Sequence, residues 1–181
     1  MIATTAVDQL ADFETVVSVH QAGIFRLLFA SLRDWGLAEE LTQETLLRAY
    51  RARERFRGDA SVRTWLMQIA VNVLRNHFTN SRLKFWRRTR RESVDPTIAC
   101  DWLADLQSSP EARAQAKQQL AAVWEAAAAL TDKQRLVFLL RFVEDMDLLE
   151  IAATTGMREG TVKAHLFRAV QAVRTKIEGN K

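Results

Sequence analysis

The chain has 181 residues, and its 26 Lys and Arg against 22 Asp and Glu give a formal net charge of +4. Its single cysteine, Cys100, excludes an internal disulfide and a cysteine-based zinc cluster, as is typical of a protein from the reducing cytoplasm. The N-terminus does not resemble a secretion signal, and we find no apolar run approaching the roughly twenty residues of a membrane helix. We therefore expect a cytoplasmic protein with no membrane insertion.

The N-terminal half predicts three helices. Asp12 can cap a first helix whose apolar residues recur at helical spacing up to Leu32, and a second helix runs from about Leu37 to Phe56. Residues 57–60 form a loop, after which Ser61 can cap a third helix. Three helices of this length can enclose one core. The expected buried stripe of the third helix consists of Val62, Trp65, Leu66, Ile69, Val73 and His77.

Charge is distributed unevenly along the chain. Residues 1–91 hold 15 Lys or Arg and 9 Asp or Glu, and residues 112–181 hold 11 and 8. Between them, residues 92–111 hold 5 Asp or Glu and no Lys or Arg. Residues 82–91 are especially basic, with six Lys or Arg and two aromatic side chains. Two basic modules joined by an acidic linker suggest polyanion binding, although ordinary solvated charge produces similar counts.

The C-terminal block has the spacing of a helix-turn-helix. A helical pattern starts near Glu111, Thr131 and Gln134 form a capping box, and Asp147 can cap the next helix. Gly156 then stands where that helix must end and the chain must turn, a position that favours glycine. A last helix, roughly residues 160–177, follows, and the second helix of such a motif enters the DNA major groove. Its expected inward residues are Val162, Leu166, Ala169, Val173 and Ile177.

The outer face of this last helix carries the candidate DNA-contacting residues. A step of about 100° per residue directs these side chains away from the core, where Lys and Arg suit phosphates and guanine and Gln suits adenine. An ordinary solvent-exposed amphipathic helix would carry similar charge, so charge alone does not distinguish it from a DNA-recognition helix. The glycine turn before the helix favours DNA binding. The candidates are Arg158, Thr161, Lys163, Ala164, His165, Phe167, Arg168, Gln171 and Arg174.

No pattern of catalytic or metal-binding residues is present. The three histidines, His20, His77 and His165, are scattered, and no Cys/His spacing matches a metal site. We find neither a Ser/His/Asp arrangement nor a glycine-rich phosphate loop. The sequence therefore predicts a protein that is not an enzyme and needs no metal or cofactor.

Three blocks together resemble the sigma-70 family of bacterial RNA polymerase subunits, in its short extracytoplasmic-function (ECF) branch. Residues 34–50 (DWGLAEELTQETLLRAY) look like the segment that binds the polymerase clamp. Residues 56–72 (FRGDASVRTWLMQIAVN) are similar to the segment that melts and reads the −10 element. Residues 130–169, which include the helix-turn-helix, are similar to the −35 reader. The resemblance covers most of residues 12–177 in the family's order, with no room for the extra domains of housekeeping sigma factors.

The resemblance implies an all-α protein of two small helical domains. A helical bundle at 1–91 would bind the clamp and the −10 element, 92–111 would be an acidic linker running toward the RNA exit path, and 112–181 would read the −35 element. It also implies an anti-sigma factor that occludes the protein until a signal arrives. The implied partners are thus core RNA polymerase, promoter DNA (duplex at −35, single-stranded at −10) and an anti-sigma factor.

The resemblance also assigns roles to side chains of the N-terminal half. Trp65 could stack against a base, but it lies on the predicted buried stripe, so we favour a core role for it. The residues implied in −10 recognition and melting are Arg57, Asp59, Ser61, Arg63, Thr64, Gln68, Asn72, Arg75, Asn76 and Arg82. Those implied in polymerase binding are Glu39, Glu40, Leu41, Gln43, Glu44 and Arg48.

Two departures from the family pattern bear on DNA recognition. Val71 stands where many members carry Arg, and Arg158 and Glu159 stand where a Ser or Thr often caps the recognition helix. We interpret the acidic cluster of Glu144, Asp145 and neighbouring carboxylates as helix caps and solvent-facing charge.

Two other classes of protein remain as alternatives. One is a transcription factor with a response-regulator-type helix-turn-helix, similar to residues 161–165 (TVKAH), which would bind duplex DNA without polymerase. Such a protein usually carries an α/β receiver domain, which residues 1–110 do not resemble. The other is a sigma-like protein that only sequesters polymerase or an anti-sigma factor, which Val71 and Arg158 would favour.

Overall fold

The structure is a computed structural model that describes residues 10, 12–84 and 123–179, with side chains up to Thr79 in the first part. The described chain is helical and contains no strand, which confirms the all-α class. The predicted linker, Cys100 and the side chain of Arg82 lie outside the described residues. The helices are α1 (Phe13–Leu32), α2 (Trp35–Ala52) with a 3₁₀ turn (Arg53–Arg55), α3 (Val62–Lys84), α4 (123–128), α5 (Asp132–Phe142), α6 (Leu148–Thr155) and α7 (Glu159–Glu178).

Side-chain caps fix where the N-terminal helices begin. The Asp12 carboxylate accepts from the Thr15 N–H at 3.2 Å, and the Ser61 hydroxyl accepts from the Thr64 N–H at 3.1 Å. Each bond satisfies a backbone donor that has no partner within its helix. Both predicted caps are therefore confirmed. Asp34 caps α2 in the same way, accepting from the Leu37 N–H at 2.9 Å, so this helix begins two residues earlier than predicted.

The prediction for the buried stripe of α3 is partly wrong. Leu66 and Val73 are buried as expected, but the remaining four predicted positions are only half-buried. This helix packs against α1 and α2 on one side and against α6 on the other, so its buried face is wider and rotated relative to a single stripe. The buried apolar side chains are Leu66, Met67, Ala70, Val71, Val73 and Leu74.

One helix is more apolar than the sequence analysis recognised. By length and composition, α1 could cross a membrane, contrary to the expectation that no segment approaches this limit. Its side chains Ile24, Leu27 and Leu28 are fully buried against the rest of the protein. The buried side of α1 thus belongs to the apolar core of the protein.

The turn of the helix-turn-helix forms at the predicted glycine. Gly156 has φ of 68° in the left-handed region and its N–H donates to the Ala152 carbonyl at 2.9 Å, which ends α6. The capping boxes of Thr131 with Gln134 and of Asp147 with Glu150 are both present. Of the five predicted inward side chains, Val162, Ala169 and Val173 are buried, and Leu166 and Ile177 are half-buried against the core clusters.

Replacing Gly156 with alanine is expected to lower the free energy of unfolding by about 1 kcal/mol, because an L side chain is strained at positive φ. The matched control is Gly160→Ala near the start of α7, where a Cβ meets nothing within 4 Å. That change should stabilise the protein by about 0.5–1 kcal/mol through helix propensity. Urea unfolding followed by circular dichroism measures both, and equal effects of the two substitutions would contradict the assignment of the turn.

A single apolar cluster joins the two halves of the chain. It runs from Ile24 in α1 through Leu66 in α3 to Leu139 in α5 and Val162 in α7, and a smaller cluster lies around Ala169. Helix α1 packs on α5, and α3 packs on α6. The N-terminal and C-terminal helices are therefore in direct contact in this arrangement.

Candidate nucleic-acid interface

The outer face of α7 is open to solvent. Two of its candidate residues, Ala164 and His165, are half-buried at the edge of this face. The N-terminal half of α7 follows the Gly156 turn directly. The exposed candidates are Arg158, Thr161, Lys163, Phe167, Arg168, Gln171 and Arg174.

Local electrostatics on α7 are mixed. The Lys163 ammonium lies 2.6 Å from the Glu159 carboxylate one turn earlier, so this cation is partly neutralised in the free protein. Burial lowers the pKa of His165, with repulsion from Arg168 and Lys133 adding to the effect, which favours a neutral imidazole at pH 7. Arg158 occupies the N-cap and makes no side-chain cap bond, as its chemistry predicts. The positive charge that this face offers to DNA comes mainly from the exposed Arg158, Arg168 and Arg174.

The residues implied in −10 recognition lie on the loop before α3 and along one side of that helix; we call them the strand-holding surface. Arg63 and Gln68 are half-buried, and Thr64 is only 4% exposed. The Thr64 side chain hydrogen-bonds with Ser61 at 2.8 Å, so in this structure it is held at the start of α3 and not presented to solvent. The exposed members are Arg57, Asp59, Ser61, Asn72, Arg75 and Asn76.

Val71 does not belong to this surface. Its side chain is 1% exposed and packs in the core, so the position where many family members carry Arg is here part of the hydrophobic interior.

Trp65 is half-buried, and its ring centroid lies 5.1 Å from that of Phe56. It packs against the core, as favoured from the sequence.

The surface implied in polymerase binding lies on α2. Glu39, Glu40, Gln43 and Arg48 are exposed, and Glu44 is half-buried with a 2.6 Å ion pair to Arg48. Leu41 is 8% exposed and belongs to the core cluster, so its predicted contact with polymerase is corrected.

Two exposed apolar residues on the same helix were not predicted from the sequence. Leu47 is 43% exposed and Tyr50 is 47% exposed. They continue the row of Glu40 and Gln43 at spacings of three and four residues, which a helical projection of the sequence could have revealed. They give the polar edge of α2 an apolar component suited to a protein partner.

The interpretation of the acidic cluster is wrong at one position. Asp145 and Asp147 are exposed, and Asp147 caps α6 as expected. Glu144, however, is 2% exposed and lies against α1 and α3, with Arg26 Nε at 3.4 Å and Arg63 Nη2 at 3.2 Å from its carboxylate oxygens. Burial raises the pKa of Glu144, and the two guanidinium groups oppose that rise.

Comparison with protein families matches both halves of the chain. Residues 16–92 match "Sigma-70 region 2", and residues 120–173 match "Sigma-70, region 4". RNA polymerase sigma-H factor of Pseudomonas aeruginosa is 31% identical over 170 residues, which covers 89% of this chain and 83% of that protein. ECF RNA polymerase sigma-E factor of Escherichia coli K12 is 30% identical over 148 residues, covering 79% and 75%.

Solved structures share the fold. The sigma factor RpoE from Bartonella quintana, in complex with the anti-sigma factor NepR, superposes with a TM-score of 0.69 at 20% identity, covering 94% of this chain and 99% of that one. CnrH, in complex with the cytosolic domain of CnrY, superposes with a TM-score of 0.68 at 20% identity, covering 99% and 96%.

The helix-turn-helix, the exposed face of α7 and the all-helical fold define a DNA-binding transcription protein. With both family regions matched in order, the chain belongs to the sigma-70 family and, by its relatives, to the ECF branch. It is a polymerase-associated sigma factor, and the response-regulator alternative is not favoured.

Proposed function

We propose that separate surfaces of this sigma factor bind the two promoter elements and core polymerase. Helix α7 reads the duplex −35 element, the strand-holding surface captures the unpaired −10 strand, and α2 docks on core polymerase. The observation that carries the proposal is the outer face of α7, where Arg168, Gln171 and Arg174 project into solvent directly after the Gly156 turn. These side-chain types suit phosphates and base edges in the major groove.

The proposed −10 function follows from the chemistry of α3 and its preceding loop. Holding an unpaired strand requires cations for the backbone and hydrogen-bonding or stacking groups for the bases. Arg57 and Arg75 supply exposed charge, and Asn72 and Asn76 supply amides on the same helix face as Arg75. Because Val71 is buried in the core, the bases would be selected by the amides of Asn72 and Asn76 and by the loop before α3.

The proposed polymerase contact combines charge with apolar area. Glu39, Glu40 and Gln43 are exposed near the start of α2, and Leu47 and Tyr50 extend the same row. Aromatic side chains surrounded by polar groups are typical of protein interfaces.

We also infer that the protein acts in the cytoplasm and performs no catalysis itself. RNA synthesis belongs to the polymerase, and this chain supplies promoter specificity and strand opening. We propose an anti-sigma factor as its inhibitor; the similarly folded RpoE and CnrH were each solved with a bound protein, which for RpoE is the anti-sigma factor NepR.

The test is transcription in vitro from a genomic promoter library by purified core polymerase, with and without this protein. We expect new start sites that share two spaced sequence motifs. Binding to core polymerase without new starts would favour a sequestering protein. Duplex binding without polymerase association would overturn the proposal in favour of a conventional regulator.

A further inference from the structure

Two side chains from different parts of the chain hold the ring of Tyr50, which is 47% exposed near the end of α2. The ring of Phe13, at the start of α1, meets it edge-on, with 5.3 Å between the ring centroids and 70° between the ring planes. The guanidinium carbon of Arg53, in the 3₁₀ turn, lies 3.9 Å from the centroid of the Tyr50 ring. An exposed aromatic side chain ordinarily changes rotamer within nanoseconds, so these two contacts restrict a ring that would otherwise move freely.

Both neighbours of the ring are themselves fixed. Arg53 Nη1 donates to the Tyr50 carbonyl at 2.6 Å, and the Arg53 backbone N–H donates to the same oxygen at the end of α2. Arg53 Nη2 also lies 3.6 Å from Glu54 Oε1. Phe13 is half-buried and packs against the apolar core cluster. The guanidinium is thus tied to the end of the helix, and the phenyl ring is tied to the core.

The held ring lies on the surface that is proposed to dock on polymerase. The row along α2 runs at spacings of three and four residues through Glu40, Gln43, Leu47 and Tyr50, and Arg53 continues it. Tyr50 is the only aromatic side chain in this row. Tyr is among the residue types that most often dominate the binding free energy of a protein interface.

We propose that Tyr50 is the anchor of the polymerase contact and that Phe13 and Arg53 are positioning residues, which order its ring before polymerase binds. The inference rests on the proposed docking of α2 on core polymerase. Immobilising one flexible side chain at an interface lowers affinity about two- to tenfold. Because the Tyr50 ring is already held in the free protein, most of this loss is avoided when the complex forms.

The ring can be observed directly, because Tyr50 is the only tyrosine of the chain. Protein made with isotopically labelled tyrosine gives a single set of tyrosine ring signals in an NMR spectrum. We expect their chemical shifts to differ from those of free tyrosine because the Phe13 ring lies beside them, and Phe13→Leu should remove most of the difference. Shifts equal to those of free tyrosine in the unaltered protein would overturn the proposal before any polymerase is added.

Relaxation of the same signals reports on Arg53. Arg53→Ala should increase the mobility of the ring, whereas Arg53→Lys should preserve part of its order, since an ammonium keeps the attraction to the ring but lacks the planar guanidinium. The matched control is Arg55→Ala, which removes the same charge at an exposed position two residues later and should leave the ring unchanged. Equal ring mobility in Arg53→Ala and in the unaltered protein would contradict the positioning role.

Binding of each variant to immobilised core polymerase is measured by biolayer interferometry. We expect Tyr50→Ala to weaken binding about 30-fold, as is typical of an interface anchor, and Tyr50→Phe to recover most of that loss. Arg53→Ala and Phe13→Leu should each weaken binding about three- to tenfold. Arg55→Ala should stay within about twofold of the unaltered protein. Circular dichroism checks that every variant retains its helices.

A double-mutant cycle separates positioning from direct contact. If Arg53 acts only through the Tyr50 ring, Arg53→Ala should weaken binding in the unaltered protein but cause no further loss in a Tyr50→Ala background. Losses that multiply in the double variant would show that Arg53 contacts polymerase itself, which would overturn its positioning role.

Glu40→Lys distinguishes failure of this inference from failure of the proposed function. The substitution reverses a charge at an exposed position of the same row, and we expect it to weaken binding to core polymerase about tenfold. If Glu40→Lys weakens binding and Tyr50→Ala does not, α2 docks on polymerase but Tyr50 is not its anchor. If neither substitution weakens binding, the proposed docking of α2 is wrong and the inference fails with it.

Discussion

Replacing Arg168 with alanine is expected to reduce transcription from the protein's own promoters about 30-fold. The guanidinium lies on the exposed outer face of α7, and a bidentate contact to a base edge contributes about 2 kcal/mol of discrimination. The loss should appear as weaker promoter binding by the holoenzyme, with its association with core polymerase unchanged. Run-off transcription over a range of holoenzyme concentrations measures it.

The control for Arg168→Ala is Lys176→Ala, which removes the same charge from the last turn of α7, where Lys176 lies 3.9 Å from Glu125. That variant should stay within about twofold of the unaltered protein. Repeating the promoter-library selection with Arg168→Ala should relax the preference at one position of the upstream motif. Unchanged transcription and unchanged preference would show that α7 does not read DNA through Arg168.

Replacing Arg135 with alanine is expected to lower the free energy of unfolding by about 3 kcal/mol. Its guanidinium donates to the carbonyls of Ala127, Ala128 and Leu130 at 3.2, 2.7 and 3.0 Å. These oxygens lie at and just beyond the end of α4, where the helix provides few donors, although the Ala127 carbonyl also accepts from the Leu130 N–H at 3.2 Å. Bonds from a charged donor contribute about 1.5–3 kcal/mol each and are not additive, so the loss is large but bounded.

Arg135→Lys is the informative comparison, because an ammonium keeps the charge but cannot reproduce the fork of a guanidinium. It should recover part of the lost stability, while Lys133→Ala, at an exposed position two residues earlier, should have little effect. Urea unfolding followed by circular dichroism provides all three values. A loss under about 1 kcal/mol for Arg135→Ala would indicate that water replaces the guanidinium at these carbonyls without cost.

The features predicted correctly from the sequence are those set by local interactions. The caps at Asp12, Ser61 and Asp147 join residues three positions apart, and the turn at Gly156 depends on the conformation of one residue. The inward row of α7 follows from helical periodicity alone. The family itself was recognisable because its three blocks are contiguous in the chain.

The predictions that failed depend on what packs against a helix from elsewhere in the chain. Helical periodicity predicts one buried stripe on α3, but α6 covers a second side, where Thr64 meets Glu150 and Gln68 bonds to the Ala153 carbonyl. Thr64 is therefore buried and Gln68 half-buried. Leu41 was assigned to polymerase binding because its segment resembles the family's clamp-binding segment, whereas in the structure its side chain belongs to the core cluster.

By itself, the sequence determined the helices, their caps, the helix-turn-helix and the family, because these depend on neighbouring residues and on chemically distinctive blocks. Only the tertiary structure decided that Glu144 is buried and paired with arginines. Its local sequence, in which further carboxylates follow it, predicts a solvent-exposed side chain. Its partner Arg63 lies 81 positions away, and the bond from Gln68 to Ala153 spans 85. Contacts at such separations arise from the packing of whole helices. The periodicity of a local sequence does not predict which helix faces pack against each other.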